Sequence, residues 1–461
     1  MKRIALLLVA LVVAGCAATQ PAAVANEGLG KIEHVVVLFQ ENWSFDGLFG
    51  KFPGANGLAQ AKDALPQSDK QGHVYAVLPP AIGPDKKPDP RIPTNLPNAP
   101  FDLAQYVPPD EKAGNPIHQF YQNQLQIDGG RNDRFVAWTN VGALVMSYYD
   151  ASDFPLGRLA KRYTLADNFF MGAFGGSFLN HIWLACACTP EWKDAPQSLR
   201  AVLDEHGMLV KDGAVTPDGY VVNTSYTVNT PHPARIKDPT HLMPNQSHVT
   251  LGDRLSAKGI SWAWYSGGWA DAIAGHPHPV FQYHHQPYAY FANYADGTAA
   301  KKEHLLDEQA FIDAVETGTL RAVSFVKPLG PLNEHPGYAD VMSGQKHIMR
   351  LVDAIMASPQ WKSTVIIITY DENGGRWDHV APPVVDRWGP GTRIPAVIVS
   401  PYAKRGYVDH TQYDTTSILR FIEKRWGLEP LGPRDAAVND LGNAFDFGTG
   451  EMPAMPRRSS Y

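Results

Sequence analysis

The stretch His34-Val-Val-Val-Leu-Phe-Gln-Glu-Asn-Trp-Ser-Phe-Asp46 joins an apolar run to a polar turn. The run from Val35 to Phe39 is typical of a buried parallel strand, which is apolar on both faces. It stops at Glu41 and Asn42, which place two oxygen donors side by side. In open α/β sheets, ligands bind just beyond the carboxyl ends of the strands. This carboxylate and amide therefore indicate ligands of a metal or an anion.

The same pattern recurs far downstream. Thr364 to Tyr370 is a second buried-strand run, and it ends in Asp371 and Glu372. Either end alone could be an ordinary turn, because Asp, Asn and Gly are common there. Two strands that deliver acidic oxygens to one sheet edge predict a site for a hard divalent cation, such as Ca²⁺, Mg²⁺ or Mn²⁺ rather than Zn²⁺.

The composition fits a globular enzyme. The 461 residues include 40 basic and 46 acidic side chains, a formal net charge of −6. This balance argues against a nucleic-acid-binding protein, which should be basic. The candidate ligands are spread from Glu41 to Glu372, so we expect a single domain over 31–447, with insertions near 79–100 and 205–235.

Further apolar runs alternate with helical patterns. Such alternation predicts an α/β fold with a mainly parallel central sheet and helices on both faces. The turn pairs at 212–213 and 218–219 predict a hairpin within 210–227. The other predicted strands are Thr164 to Phe170, Ile260 to Tyr265, Ala322 to Val326 and Ile394 to Ser400; the predicted helices are Val341 to Ala357 and Thr415 to Trp426.

The N-terminus indicates export. Lys2 and Arg3 precede a short apolar segment that ends at Cys16, in a pattern resembling a bacterial lipobox. We expect a lipoprotein-type signal peptide over 1–16, a lipidated Cys16, a flexible tether over 17–30, and a lipid-anchored protein of the bacterial cell envelope, in the periplasm or at the outer membrane. The alternative is an ordinary signal peptide cut near Ala25. The tail, 448–461, is expected to be disordered.

Two further cysteines, Cys186 and Cys188, lie two residues apart in an apolar stretch. Residues i and i+2 do not face each other on a helix, and on a strand they do not bridge easily. We therefore interpret both as small core residues without a disulfide.

Ser177 follows two glycines at the predicted start of a helix. A hydroxyl there lies in the positive field of the helix N-terminus, which suits an alkoxide or a phosphate. The alternative is a simple N-cap serine. The nucleophile elbow G-x-S-x-G does not match, because Leu179 occupies the last glycine position.

Several histidines stand in polar loops. Near a phosphate they could be donors or a leaving-group acid, and they could instead ligate zinc. Each one alone could equally be structural. They are His118, His284, His285 and His335.

Four motifs in order resemble the bacterial phosphoesterase family that holds acid phosphatases and phosphatidylcholine-type phospholipases C. That family is a branch of the alkaline-phosphatase-like superfamily. The motifs stand here as LFQENWSFD, GGSFLNH, HHQPYAYF and YDENGGRWDHVAPP. Trp43 replaces the usual Arg of the first motif, and Gly176 replaces the usual Pro of the second.

The resemblance implies a role for each matching residue. Ser177 would be the nucleophile and His335 would assist the leaving group. The divalent cation would be held by Glu41, Asn42, Ser177, Asp371 and Glu372. Asn42, His118, His284, His285 and His335 would surround the phosphoryl group. Asp378 and His379 would contact the metal ligands and not the metal, and would hold those ligands in position.

We therefore predict a metal-dependent phosphoric-ester hydrolase that works through a phosphoserine, of acid-phosphatase type. The alternative is a phospholipase C cleaving phosphatidylcholine-like lipids, with the aromatic segment Ser261 to Phe291 as a possible choline cage. A non-catalytic anion-binding lipoprotein is a third hypothesis. The expected partner is a small phosphate ester or a phospholipid, and not a nucleic acid.

Overall fold

The computed structural model describes residues 28–448. The predicted signal peptide, the lipidated Cys16, most of the tether and nearly all of the tail lie outside the described residues. Of the tether, residues 28–30 are described, and Leu29 there is packed against the core.

A mostly parallel sheet of eight strands forms the centre of the described part, as predicted. Its spatial order is β8-β2-β7-β6-β1-β5-β3-β4, with β7 antiparallel to both of its neighbours. The strands are β1 (His34–Gln40), β2 (Thr164–Ala166), β3 (Trp262–Ser266), β4 (Leu305–Asp307), β5 (Val323–Lys327), β6 (Thr364–Tyr370), β7 (Ala396–Val399) and β8 (Tyr407–Asp409).

The central strand β1 lies between β5 and β6 and runs parallel to both. Gln40 is opposite Tyr370, and Leu38 is opposite Val326. Because the three strands end together, the residues that follow them meet at one edge of the sheet. This register brings the sequence after β1 next to the sequence after β6.

The helices that pack around the sheet agree with the two longest helical predictions, Val341–Ala357 and Thr415–Trp426. None of the helices within residues 28–448 combines the length and the apolar character needed to cross a bilayer. The helices are α1 (Phe45–Phe49), α2 (Phe120–Ile127), α3 (Pro155–Ala160), α4 (Ser177–Cys186), α5 (Leu251–Ala257), α6 (Trp269–Ile273), α7 (Ala299–His304), α8 (Glu308–Thr317), α9 (Val341–Ala357), α10 (Thr415–Trp426) and α11 (Pro433–Ala437).

Two predicted β segments differ in detail. Thr164 to Phe170 is not one strand, because Asp167 and Asn168 interrupt it and Phe169–Phe170 pairs instead with Tyr413–Asp414. The hairpin predicted within 210–227 is reduced to an antiparallel bridge between Val215 and Val221, and a separate hairpin, Val202–Leu203 with Leu209–Lys211, precedes it. The chain then continues through 212–224 as a second, looser turn.

The prediction for the two cysteines was wrong, because Cys186 and Cys188 form a disulfide. Ala187 between them adopts the left-handed conformation at φ 48°, and this ends α4 and turns the chain back. The Cα atoms of the two cysteines are therefore 5.1 Å apart. The sequence argument considered only regular helix and strand, and neither has this geometry.

Candidate functional site

The turn after β1 contacts the turn after β6 directly. The backbone N–H of Asn42 donates to Asp371 Oδ1 at 3.2 Å. Asn42 has a left-handed backbone, with φ 65°. Gly374 is also left-handed, and a Cβ added there would lie 2.4 Å from the Asn42 carbonyl oxygen. Only glycine therefore allows the two turns to approach so closely.

Ser177 is the first residue of α4, and its hydroxyl donates to Glu41 Oε2 at 3.0 Å. The N-cap of this helix is Gly176. The alternative interpretation of Ser177 as a simple N-cap serine is therefore wrong. The hydroxyl points instead at the carboxylate that follows β1.

Three of the four other predicted ligands each have one buried oxygen without a hydrogen-bond partner in the described structure. These atoms are Asn42 Oδ1, Asp371 Oδ2 and Glu372 Oε1, whereas Glu41 Oε1 lies 2.7 Å from both Lys327 Nζ and His285 Nε2. All four residues are fully buried. An unpaired buried acceptor is costly, so such a group needs a partner. A set of carboxylate and amide oxygens fits a hard divalent cation.

The pKa values of the three carboxyl groups also favour a bound divalent cation. Burial opposes the ionisation of Glu41, but Lys327 and His285 outweigh it and hold the pKa of Glu41 well below its usual range. Burial raises the pKa of Asp371, and the charge of Glu41 raises it further. Burial and the charge of Asp371 raise the pKa of Glu372. Additional positive charge would allow all three to ionise.

Lys327 is a site residue that the sequence reasoning missed. It is fully buried at the end of β5, with Nζ 2.7 Å from Glu41 Oε1 and 3.8 Å from Asp371 Oδ2. Its ammonium also donates to the Gln40 carbonyl at 3.2 Å. The rule that found Glu41 would have found Lys327, because a strand was predicted to end just before it. It was passed over because a lysine ammonium cannot ligate a metal.

His181 is the last residue of the second motif, GGSFLNH, and the sequence predicted no role for it. It lies one turn after Ser177, and its Nδ1 is 2.7 Å from the Ser177 carbonyl oxygen. Its ring stacks on that of His285, with 5.0 Å between the ring centres. Donor atoms of Glu41, His181 and His285 lie within 4.8 Å of one another. Nitrogen ligands for a metal are thus available beside the oxygens.

A cavity of about 620 Å³ opens at this edge of the sheet. Asn42, Asp371 and Glu372 are not among its lining residues, although the Nδ2 of Asn42 is 3.3 Å from His118 Nε2. The predicted site residues that line it are Glu41, His118, Ser177, His284, His285 and His335.

Two of the cavity histidines are oriented by backbone carbonyls. Nδ1 of His118 lies 2.6 Å from the Pro116 oxygen, and Nδ1 of His335 lies 2.6 Å from the Pro336 oxygen. A proton on each Nδ1 makes these hydrogen bonds, which leaves Nε2 as the nitrogen that can meet a substrate.

Burial lowers the pKa of all four cavity histidines. The pKa values of His118 and His285 fall to about 4, and those of His284 and His335 are also lowered. At neutral pH and without a substrate these rings are therefore uncharged. A bound phosphate would favour their protonation, because a nearby opposite charge stabilises the charged form.

Asp378 and His379 do not contact the predicted ligands. Asp378 Oδ2 accepts from the Asp46 N–H at 3.0 Å, and His379 Nδ1 is 2.6 Å from Asp46 Oδ2. Arg393 is fully buried and donates to Asp378 Oδ1 at 2.8 Å. This cluster ties the chain after Glu41 to the chain after Glu372. A supporting role for Asp378 and His379 stays a prediction.

Trp43, the departure from the family pattern, lies behind His335. Its indole N–H donates to the Glu334 carbonyl at 3.2 Å, and the Arg376 guanidinium lies 3.8 Å from the centre of its ring. An arginine is thus still present beside this position, supplied by the fourth motif. Glu334 itself has a left-handed backbone, with φ 71°.

Four of the five aromatic side chains expected to form a choline cage are core residues, and the fifth, Tyr283, is partly buried and does not line the cavity either. Trp262, Trp264, Tyr265 and Trp269 are buried and do not line the cavity. The segment 261–291 instead contributes polar side chains to the wall, namely Gln282, His284 and His285.

Comparison with known proteins identifies the family of this chain. A sequence model of the Phosphoesterase family matches residues 32–429. Phospholipase C A of Mycobacterium tuberculosis is 25% identical over 94% of this chain and 80% of its own length. Non-hemolytic phospholipase C of Pseudomonas aeruginosa is also 25% identical, over 95% of this chain and 60% of its own length.

Among solved structures, an alkaline phosphatase superfamily protein from Vibrio parahaemolyticus has 9% identity and a TM-score of 0.34, over 72% of this chain and 73% of its own. A likeness this distant carries no weight by itself. The family model covers both turns, the serine and all four cavity histidines. The chain therefore belongs to the Phosphoesterase family.

Proposed function

We propose that this phosphoesterase is a metal-dependent hydrolase in which Ser177 is the nucleophile. The observation that carries the proposal is the contact of the Ser177 hydroxyl with Glu41, at 3.0 Å, within a group of unpartnered buried oxygens. The start of α4 adds a positive field, which stabilises the developing alkoxide. A non-catalytic anion-binding protein would need no such hydroxyl.

In the first step the Ser177 hydroxyl gives its proton to Glu41 Oε2, Ser177 Oγ forms a bond to phosphorus, and the bond from phosphorus to the leaving alcohol breaks. His335 Nε2, when protonated, gives its proton to the leaving oxygen. Water then attacks phosphorus and gives a proton to His335 Nε2, the bond from phosphorus to Oγ breaks, and Oγ takes back its proton from Glu41 as the phosphate product leaves. A divalent cation held by Glu41, Asn42, Asp371 and Glu372 would lower the pKa of the Ser177 hydroxyl and neutralise charge on the phosphate.

For the substrate we favour a phosphodiester of the phospholipid kind over a phosphomonoester. The named relatives are phospholipases C, which supports the alternative raised from the sequence. No lysine or arginine is among the described residues that line the cavity. A singly charged diester needs less fixed positive charge than a doubly charged monoester. The monoesterase is the second candidate, favoured by four histidine rings that can gain protons around a phosphate.

The test compares p-nitrophenyl phosphate with p-nitrophenylphosphorylcholine, each with and without a chelator. We expect faster turnover of the choline ester, loss of activity with chelator, and recovery when a divalent cation is added back. Ser177→Ala should abolish turnover of both substrates and phosphoenzyme formation, while the exposed Ser198→Ala serves as the matched control. Near-normal turnover by Ser177→Ala would exclude it as the nucleophile.

A further inference from the structure

The insertion that follows α4 supplies part of the cavity wall. Residues 212–214 and 223–224 of this insertion line the same cavity as Ser177. Asp212 is, apart from Glu41, the only carboxylate among the described lining residues. A segment outside the central sheet therefore contributes a potential negative charge close to the reacting groups.

The two oxygens of Asp212 have different surroundings. Oδ1 accepts from the Gly213 N–H at 2.7 Å and from Asn223 Nδ2 at 3.3 Å. Oδ2 is buried and has no hydrogen bond of normal geometry in the described structure, although the Gln122 side chain lies beside the carboxylate and acts to lower its pKa. Buried polar atoms are nearly always paired in native proteins, so an unpaired one in a cavity wall needs an explanation.

No protein cation neutralises this carboxylate. Asp212 forms no ion pair with any described residue, and the nearby Arg387 is paired with Asp218 at 2.8 Å. Burial raises the pKa of Asp212, because a charge is unfavourable there without a partner. A positively charged ligand group would remove this penalty.

Asn223 holds Asp212 in place. Its Nδ2 donates to the Gly213 carbonyl at 2.8 Å, and its Oδ1 accepts from the Phe120 N–H at 3.0 Å. Phe120 follows His118 by two residues, so the same amide joins the insertion to the segment that carries a cavity histidine. The orientation of the carboxylate is thus fixed before a ligand arrives, which lowers the cost of binding.

We infer that Asp212 forms a subsite for a positively charged ammonium group carried on the substituent that stays esterified to the phosphorus. The inference rests on the proposed function and extends it, because it names the residue that selects the substrate. Tyr338, which is only partly buried, lines the same cavity and offers aromatic surface, which also favours a cation. This subsite replaces the buried tryptophans as the candidate for recognising a charged head group.

The test uses the isosteric variant Asp212→Asn, which keeps the Oδ1 acceptor and removes the charge. Two phosphodiesters with the same leaving group are compared, p-nitrophenylphosphorylcholine and ethyl p-nitrophenyl phosphate. We expect kcat/KM for the choline ester to fall by about tenfold, the size of one moderate ionic contact. Turnover of the ethyl diester, which lacks the ammonium group, should stay within about twofold. The control variant Asp204→Asn, at the exposed hairpin turn, should leave kcat/KM unchanged for both diesters.

Equal losses on both diesters would overturn the inference, because Asp212 would then only shape the wall. No loss on either would also overturn it. If the wild-type protein hydrolyses neither diester, the proposed function fails instead. Binding then decides about the subsite: phosphorylcholine should bind the wild-type protein more tightly than ethyl phosphate does, measured calorimetrically, and Asp212→Asn should erase the difference.

Discussion

Lys327 brings a fixed positive charge to three buried carboxylates. Together with one divalent cation it would balance Glu41, Asp371 and Glu372 without excess charge on either side. Its ammonium is 2.7 Å from Glu41 and is fully enclosed by protein. The lysine therefore acts as a permanent counter-charge, whereas a metal ion can come and go.

Replacing Lys327 by Met should expose this role. Removing one partner of a buried ion pair costs about 3–5 kcal/mol, so the metal-free variant should be destabilised by that order. A divalent cation should then stabilise the variant more than the wild-type protein, because the carboxylates lack one positive charge and binding to the folded state raises stability. Thermal denaturation with and without Mg²⁺ or Ca²⁺ measures both effects. The exposed Lys362→Met is the control, and equal cation-induced shifts in Lys327→Met and the wild type would contradict the argument.

At the scale of elements, the sequence predicted best where physical signals agreed. The strand Thr364–Tyr370 is buried throughout and has an apolar centre, and α9 and α10 follow the N-capping residues Asp340 and Asp414, so the starts of these helices were predictable. The disulfide between Cys186 and Cys188 was not predictable, because it depends on the left-handed conformation of Ala187. Lys327 was not predicted, because its role depends on the carboxylates that the fold places around it.

Helix α10 contains a carboxyl group that should link stability to pH. Both carboxyl oxygens of Glu423 are buried without a hydrogen-bond partner in the described structure. Burial, assisted by the nearby Asp435, raises the pKa of Glu423 to about 8. A pKa above the unfolded value of about 4.3 means that the folded state holds the proton more tightly. The protonated Glu423 carboxyl group therefore makes its full contribution to the free energy of unfolding below about pH 4.3, and this contribution is lost as the pH rises through about 8.

Glu423→Gln should remove this dependence. The free energy of unfolding should be measured in urea at pH 5, 7 and 9. The variant should gain stability relative to the wild type as the pH rises, by about 1.4 kcal/mol for each pH unit between the two pKa values. The exposed Glu429→Gln should follow the wild type at every pH. A constant difference between Glu423→Gln and the wild type across this range would rule out the titration.

At the scale of the whole molecule, the location of the protein is still a proposal, because Cys16 lies outside the described residues. If Cys16 carries the lipid, Cys16→Ser should leave the membrane fraction or remain unprocessed. Fractionation of cells followed by detection of the protein measures this outcome. Cys188→Ser, altered within the folded domain, is the control for changing a cysteine. Unchanged membrane association of Cys16→Ser would favour the ordinary signal peptide cut near Ala25.

The position of β1 has a consequence for the order in which this protein becomes active. The first strand of the sheet pairs only with strands that are synthesised much later, Val323–Lys327 and Thr364–Tyr370. Pairings between distant segments form slowly, because long loops must close first. Glu41 and Ser177 are therefore synthesised well before Asp371 and Glu372. Arg393, whose hydrogen bonds join the two turns, is synthesised later still. A chain interrupted between Ser177 and these residues contains the serine but lacks the second acidic turn, so we expect hydrolysis to begin only when almost the entire domain has been made.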